Sequence, residues 1–183
     1  INGAGYGLTM GVQSRIDETV DYVIANAHVG NIYVNRNMVG AVVGVQPFGG
    51  EGRSGTGPKA GGPLYLERLQ QFAGVQFRPP GQIREDPRAT GTTAALLQSL
   101  SDWAVRKHPG VADLIEAYRA ATPVGKELVL PGPTGEENGL RFVPRGMALC
   151  VASGTDALMN QIAAALATDN RIAIAPASAQ WIP

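Results

Sequence analysis

Residues 31–66 carry the run NIYVNRNMVGAVVGVQPFGGEGRSGTGPKAGGPLYL. The apolar stretch from Ile32 to Val34 is typical of a buried β-strand. Glycines then bracket Pro47 and Phe48, and Pro63 stands where it could open a helix. Because glycine has no Cβ atom, a strand that leads into a glycine-dense loop exposes backbone amides to an approaching ligand. The run therefore predicts a binding loop carried by an α/β scaffold.

The composition is that of a folded and electrically balanced protein. The 183 residues include 15 Lys and Arg and 15 Asp and Glu, which favours neither nucleic acid nor a charged membrane surface as a partner. No apolar run approaches the roughly 20 residues that span a bilayer, and no signal-peptide pattern opens the chain. The single cysteine, Cys150, excludes an internal disulfide and fits a reducing compartment. The chain starts without methionine, and we expect it to be a segment of a longer protein.

The first 78 residues alternate between strand and helix patterns. A short strand is predicted over Leu8–Val12, and another over residues 31–35. Between them, a helix that ends with Gly30 at its C′ position is predicted by an apolar stripe at helical spacing: Ile16, Val20, Val23, Ile24 and Ala27. After the loop, a helix from Pro63 should bury Leu66, Leu69 and Phe72, and Val75–Phe77 should form a last strand.

The second half begins after residues 79–92, whose prolines and charges predict a linker. Two helices follow, the first marked by Leu96, Leu97, Leu100, Trp103 and Ala104, and the second by Val111, Leu114, Ile115 and Tyr118. Residues 128–130 and 140–143 predict a β-hairpin. Strands at 147–151 and 172–175 around a helix over 157–168 form a βαβ unit. The whole chain is therefore predicted to be of the α/β class.

Two adjoining motifs carry a family resemblance. GAVVGVQPFGG at residues 40–50 resembles the substrate-anchoring segment of the aldehyde dehydrogenase superfamily, most closely that of the glutamate-γ-semialdehyde (pyrroline-5-carboxylate) dehydrogenases. GTGPKAGGPLY at residues 55–65 resembles the dehydrogenase module of bifunctional proline-utilisation flavoproteins. The resemblance implies that residues 1–78 are the C-terminal part of an aldehyde dehydrogenase catalytic domain.

The resemblance also assigns candidate substrate-binding residues. In the family, the backbone amides that match Gly40 and Ala41 bind the carboxylate of the semialdehyde, and the phenylalanine that matches Phe48 packs against its aliphatic chain. Oriented N–H groups do form anion-binding concavities, and a charged acceptor strengthens their hydrogen bonds. The alternative is a tight turn whose glycines only relieve backbone strain.

Residues 93–183 resemble the start of another aldehyde-dehydrogenase-like, Rossmann-like domain, with PRGMALCVA at 144–152 and QIAAALATDNRIAIAP at 161–176. They depart from that pattern where chemistry would occur. Thr155 stands where the family has an oxyanion-stabilising asparagine, and Ala175 stands where a lysine would hold the adenosine ribose. We therefore expect this incomplete domain to be non-catalytic, to pack on the dehydrogenase module as a cap and to bind no dinucleotide.

Three other signals predict no chemistry. Gly50–Gly55 fits the pattern G-x-G-x-x-G but lacks the strand before it and the helix after it that a dinucleotide site requires. Cys150 lies within an apolar strand, which favours a buried and inert thiol over a nucleophile. His28 and His108 have no partner at metal-ligand spacing, so no metal site is predicted.

The resemblance implies a parent enzyme that oxidises glutamate-γ-semialdehyde to glutamate with NAD, through a thiohemiacetal on a cysteine and a thioester that water hydrolyses. The matching nucleophile and general base would precede Ile1, so no catalytic residue is expected in these residues, and the segment alone should be inactive. The resemblance also implies upstream domains that include an FAD-dependent proline dehydrogenase module. We further expect a homo-oligomer in the cytoplasm, which the flavin module could bring to the periphery of the inner membrane. The rival hypothesis is a scaffold or interaction module with an inherited fold.

Overall fold

A computed structural model describes residues 1–55, 57–69, 81–86 and 93–183. The chain divides into two compact units. The first unit comprises residues 1–83 and 128–140, and the second comprises residues 84–127 and 141–183. The hairpin turn thus groups with the first unit, although the sequence assigned it to the C-terminal domain. The domain boundaries remain a prediction.

The first unit is built around a parallel pair of strands joined by a helix. Its elements are a 3-10 helix at Asn2–Ala4, β1 at Tyr6–Gly7, β2 at Thr9–Val12, α1 at Asp17–Asn26, β3 at Asn31–Val34, β4 at Glu51–Gly52 and a 3-10 helix at Glu67–Leu69. β2 and β3 pair in parallel, so α1 is the crossover that parallel strands require. β1 and β4 form a separate antiparallel pair. Val12, Val29 and Tyr33 are buried at the base of the loop that follows β3.

Two expectations for this unit are wrong. Residues 63–66 form turns, and only Glu67–Leu69 are helical, as a short 3-10 helix. Leu66 and Leu69 are exposed rather than buried. A short helix gains most of its stability by packing an apolar face, and these two leucines have little to pack against within the described residues. The expected burial of Phe72 and the strand at 75–77 lie outside the described residues.

Gly30 is not the helix cap that the sequence predicted. α1 ends at Asn26 with Ala27 as its C-cap residue. A Cβ atom on Gly30 would lie 1.9 Å from the carbonyl oxygen of Gly49. The position needs glycine because two backbone segments meet there.

The remaining elements begin with a strand inside the predicted linker. They are β5 at Gln82–Glu85, α2 at Thr93–Lys107, α3 at Pro109–Ala121, β6 at Lys126–Leu130, β7 at Asn138–Arg141, β8 at Met147–Cys150, α4 at Thr155–Leu166, β9 at Arg171–Ile174 and a 3-10 helix at Pro176–Trp181. β6 is hydrogen-bonded to both β5 and β7. The predicted linker therefore contains a strand, β5, whose hydrogen-bond partners in the sheet the local composition does not reveal. The rest of the predicted linker, except Gly81 and Asp86, lies outside the described residues.

The core of the second unit forms where α2, α3 and α4 meet the parallel pair β8 and β9. β8 and β9 are in register from Met147 opposite Arg171 to Cys150 opposite Ile174, as the predicted βαβ unit requires. The buried cluster consists of Ala104, Val111, Ile115, Cys150, Leu158, Met159 and Ala163. Trp103 and Trp181 are partly buried and pack against this cluster. None of the described helices is long and apolar enough to cross a membrane.

Two adjacent leucines of α2 provide a matched test of this core. Leu97 is 0% exposed, whereas Leu96 is 52% exposed. Leu97→Ala should lower the free energy of unfolding by about 2–5 kcal/mol, because it leaves a cavity. Leu96→Ala should change it by less than about 1 kcal/mol. Urea denaturation of the two variants measures both values, and equal losses would contradict the packing described for α2.

Candidate functional site

The three candidate residues lie on the glycine loop, residues 37–50, which follows β3. Gly40 has a φ of 84°, a left-handed conformation that favours glycine. Gly40 and Ala41 are exposed. Phe48 is 37% exposed, so its ring keeps a face open. The loop thus presents two backbone amides and one aromatic ring.

The amides of Gly40 and Ala41 are available to a ligand. Within the described part of the chain, neither amide donates a hydrogen bond. The neighbouring turn is closed instead by Gln46, whose amide donates to the carbonyl oxygen of Val42 at 2.7 Å, and by Gly44, whose amide donates to Gly61 at 2.8 Å. Successive unpaired N–H groups on a glycine turn favour an anionic partner.

Phe48 is held on both sides by backbone hydrogen bonds. Its amide donates to the carbonyl oxygen of Ala60 at 2.9 Å, and the Ala60 amide donates back at 2.8 Å. The Asn31 side chain donates to the Pro47 carbonyl oxygen at 2.8 Å and accepts from the Gly49 amide at 3.1 Å. The backbone around the ring is therefore fixed before any ligand binds.

Lys59 completes the base of the loop. Its ammonium group donates to the carbonyl oxygens of Gly30 and of Gly49, the latter at 2.6 Å. Burial lowers the pKa of Lys59, while the charge of Glu51 acts in the opposite direction. A partly buried ammonium is stabilised by acceptors around it, and here two carbonyl groups supply them.

Sequence reasoning missed Asn31 and Lys59 as site residues. The signal that was available is a lysine within a run of glycines, where a cation has few side-chain partners and must seek backbone carbonyl groups. The G-x-G-x-x-G run at 50–55 forms β4 and a turn, and β4 pairs with β1. It does not have the strand–loop–helix form of a dinucleotide site.

This loop and the strands that carry it match a known family. The model of the aldehyde dehydrogenase family matches residues 1–75. The α/β fold class predicted from the sequence is confirmed, and so is the resemblance to the aldehyde dehydrogenase superfamily.

Similarity to known proteins extends beyond the aldehyde dehydrogenase segment. The bifunctional protein PutA of Salmonella typhimurium is 48% identical over 182 residues, which cover 93% of this chain and 13% of that protein. The 1-pyrroline-5-carboxylate dehydrogenase of Bacillus mycoides is 51% identical over 65 residues, or 36% of this chain and 13% of that protein. The structure of PutA from Corynebacterium freiburgense matches 98% of this chain and 17% of its own, with 26% identity and a TM-score of 0.54. The chain thus spans about 13% of the length of these curated relatives.

The carboxyl ends of β8 and β9 form the edge of the second unit at which a βαβ unit would bind a dinucleotide. The amide and carbonyl groups of Val151 bond to the Gln161 side chain at 2.8 and 2.7 Å. Those of Ala152 bond to the Ser178 hydroxyl group at 2.9 and 3.0 Å. Asp156 adds a negative charge in the first turn of α4. The backbone groups of Val151 and Ala152 are therefore already paired.

Thr155 and Ala175 also offer little to a ligand. The Thr155 hydroxyl group donates to the carbonyl oxygen of Trp181 at 3.1 Å. The Ala175 amide donates to the carbonyl oxygen of Cys150 at 2.9 Å. Both hydrogen bonds join residues within the second unit.

Cys150 is buried at the end of β8, as the sequence predicted, with 2% of its surface exposed. Burial raises the pKa of its thiol, so the reactive thiolate is scarce at neutral pH. Among the described residues, no group of His, Cys, Asp or Glu side chains could hold a metal ion. His108 instead stacks on Trp103, with ring centroids 5.2 Å apart.

Gly30→Ala tests the crossing at the base of the loop. Because the new methyl group would overlap the Gly49 carbonyl group, the free energy of unfolding should fall by about 3 kcal/mol. Gly110→Ala is the control, since a Cβ atom there meets nothing within 4 Å; stability should stay constant or rise by less than about 1 kcal/mol. Chemical denaturation measures both variants. Unchanged stability in Gly30→Ala would disprove the close approach.

Cys150 should react slowly with Ellman's reagent while the chain is folded. We expect a rate at least about 100-fold below that of the denatured chain, because reaction must await local opening of a buried strand. Absorbance at neutral pH with and without denaturant gives the two rates. Reaction of the folded chain at the denatured rate would place the thiol at the surface.

Proposed function

We propose that the protein containing this chain is an NAD-dependent L-glutamate-γ-semialdehyde dehydrogenase of proline catabolism, which oxidises the semialdehyde to glutamate. The observation that carries the proposal is the pair of exposed and unpaired amides at Gly40 and Ala41, beside the half-exposed Phe48. The aldehyde dehydrogenase match over these residues supports the same reaction class. The relatives named for proline utilisation and pyrroline-5-carboxylate oxidation support the substrate.

In this proposal, the chain binds the end of the substrate that does not react. The amides of Gly40 and Ala41 donate hydrogen bonds to the oxygens of the α-carboxylate, and the negative charge strengthens both bonds. Phe48 packs along the methylene groups between the carboxylate and the aldehyde. Binding energy at the remote end orients the aldehyde carbon toward the reacting groups.

The reacting groups belong to other parts of the protein. Cys150 is buried, and side chains of the second unit already bond to the backbone of Val151 and Ala152 beyond the end of β8. NAD, when bound to the dehydrogenase module, supplies the acceptor for the aldehyde hydride. FAD belongs to the proposed proline dehydrogenase module. No step of the oxidation is assigned to the side chains of residues 1–183.

The remaining organisation is proposed with the function. Residues 1–78 complete the catalytic domain, 79–92 connect it, and 93–183 form a non-catalytic structural domain that caps it. The paired backbone groups at the edge of β8 support the structural role. The protein would be a cytoplasmic homo-oligomer with upstream domains on the same chain.

The direct test is the oxidation of glutamate-γ-semialdehyde by the full-length protein that contains this chain, followed as NADH formation. The full-length protein should form NADH. The isolated 183-residue chain should form none, because its only cysteine is buried. A full-length protein without this activity would overturn the proposal.

Ala41→Pro in the full-length protein tests the amide anchor. Proline removes one donor, so KM for the semialdehyde should rise by about 10- to 100-fold, the value of a lost hydrogen bond to a charged group. Ala41→Gly keeps the N–H group and should leave KM within about threefold. Steady-state kinetics on both variants, with circular dichroism to confirm folding, measure the effect. Equal KM values for the two variants would remove Ala41 from the site.

A further inference from the structure

Glu136 lies in the turn between β6 and β7, yet its carboxylate contacts the glycine loop. It accepts hydrogen bonds from the guanidinium of Arg36 and from the side-chain amide of Gln46, the latter at 2.6 Å. Glu136, Arg36 and Gln46 all belong to the first unit. Arg36 and Gln46 flank residues 37–45, the part of the loop that contains Gly40 and Ala41. The Glu136 carboxylate therefore binds the side chains on both sides of residues 37–45.

The turn that carries Glu136 is itself held in place. Asn138 donates to the same carboxylate at 2.9 Å and to the carbonyl oxygen of Pro131 at 3.0 Å. The Glu136 amide donates to the carbonyl oxygen of Pro133 at 3.0 Å. Gly44, Gly61 and Leu130 also line one pocket, so the hairpin faces the loop there as well.

The side chains that make these contacts are partly or fully buried, which strengthens the hydrogen bonds between them. The side chains of Arg36 and Glu136 are 29% and 21% exposed, and Gln46 is buried. Arg36 also lies over the ring of Tyr33, with its Cζ atom 5.2 Å from the ring centroid. Charge-assisted hydrogen bonds in partly buried sites are stronger and more directional than those of exposed ion pairs. Loss of the Glu136 charge would leave the buried Gln46 amide donor with a poorer acceptor.

Gly40 and Ala41 make no hydrogen bond through their own amides within the described residues. On one side of them, Asn37 accepts a local hydrogen bond from the Val39 amide at 3.1 Å. On the other side, the Gly44 amide donates to the carbonyl oxygen of Gly61 at 2.8 Å, and the Gln46 amide donates to Val42. The direction of the Gly40 and Ala41 amides therefore depends on how the chain on either side of them is held. An anchor of two amides needs placement within about 0.5 Å.

We propose that Glu136 is a positioning residue for the substrate-carboxylate anchor: by binding Arg36 and Gln46 together, it holds the Gly40 and Ala41 amides in the orientation that accepts a carboxylate. This inference rests on the proposed function. It extends the site to a residue 100 positions away from Arg36 in sequence. It also assigns specificity, since an aldehyde without a carboxylate does not use the anchor.

Glu136→Gln in the full-length protein tests the proposal. This variant keeps the shape of the side chain but loses its charge and turns an NH2 group toward one of its donors. KM for glutamate-γ-semialdehyde should rise by about 5- to 20-fold with kcat within about twofold, because ground-state binding is lost. KM for pentanal, which lacks a carboxylate, should stay within about twofold.

Three controls separate positioning from general destabilisation. Glu116→Gln breaks the exposed pair of Glu116 and Arg119 in the second unit and should leave both KM values unchanged. Arg36→Met combined with Glu136→Gln should be no worse than the more affected single variant, because the two residues act through one contact. Hydrogen exchange of the amides of residues 37–45 in Glu136→Gln should be faster than in the unaltered protein, with exchange in α4 unchanged.

Each outcome decides between the two proposals. If the unaltered protein oxidises the semialdehyde and Glu136→Gln leaves its KM unchanged, or raises KM equally for pentanal, Glu136 has no positioning role. Unchanged exchange over residues 37–45 also rules out the positioning role, even if the variant loses activity. If the unaltered protein does not oxidise the semialdehyde, the proposed function fails, and the positioning role falls with it.

Discussion

One partly buried ammonium group, that of Lys59, holds the base of the glycine loop. Lys59 donates hydrogen bonds to the carbonyl oxygens of Gly30 and Gly49, which holds the start of β3 against the end of the glycine loop. This crossing is so close that Gly30 cannot carry a Cβ atom. Asn31, the next residue, uses its side chain to bind the backbone on both sides of Phe48. The placement of the Phe48 ring thus depends on Lys59 and Asn31, whose side chains bond to the backbone.

The loop combines a rigid base with an open tip. Its base is held by side chains, whereas the Gly40 and Ala41 amides at the tip remain unpaired within the described residues. A site made of backbone donors needs no reactive side chain, but it depends on the conformation of the chain that presents it. In the proposal, the contacts of Glu136 with Arg36 and Gln46 hold that conformation. Recognition and support are therefore carried by different residues.

The second unit has a core of its own. Its parallel strands, crossover helix and buried cluster form this core. Gln161 and Ser178 bond to the backbone of Val151 and Ala152, just beyond the end of β8. Side chains thus satisfy backbone groups that follow the strand, and these contacts stabilise the unit.

The sequence by itself determined the local elements, namely the helices with a clear apolar stripe, the βαβ unit and the buried state of Cys150, because periodicity records which face of each element is covered. The glycine loop was also recognisable, since glycine and proline act on the backbone locally. Only the tertiary structure decided what lies opposite each segment. It paired β5 within the predicted linker, left Leu66 exposed, and joined Lys59 to two carbonyl groups. It also brought Glu136 to Arg36. Such contacts join residues far apart in sequence, and no local pattern records them.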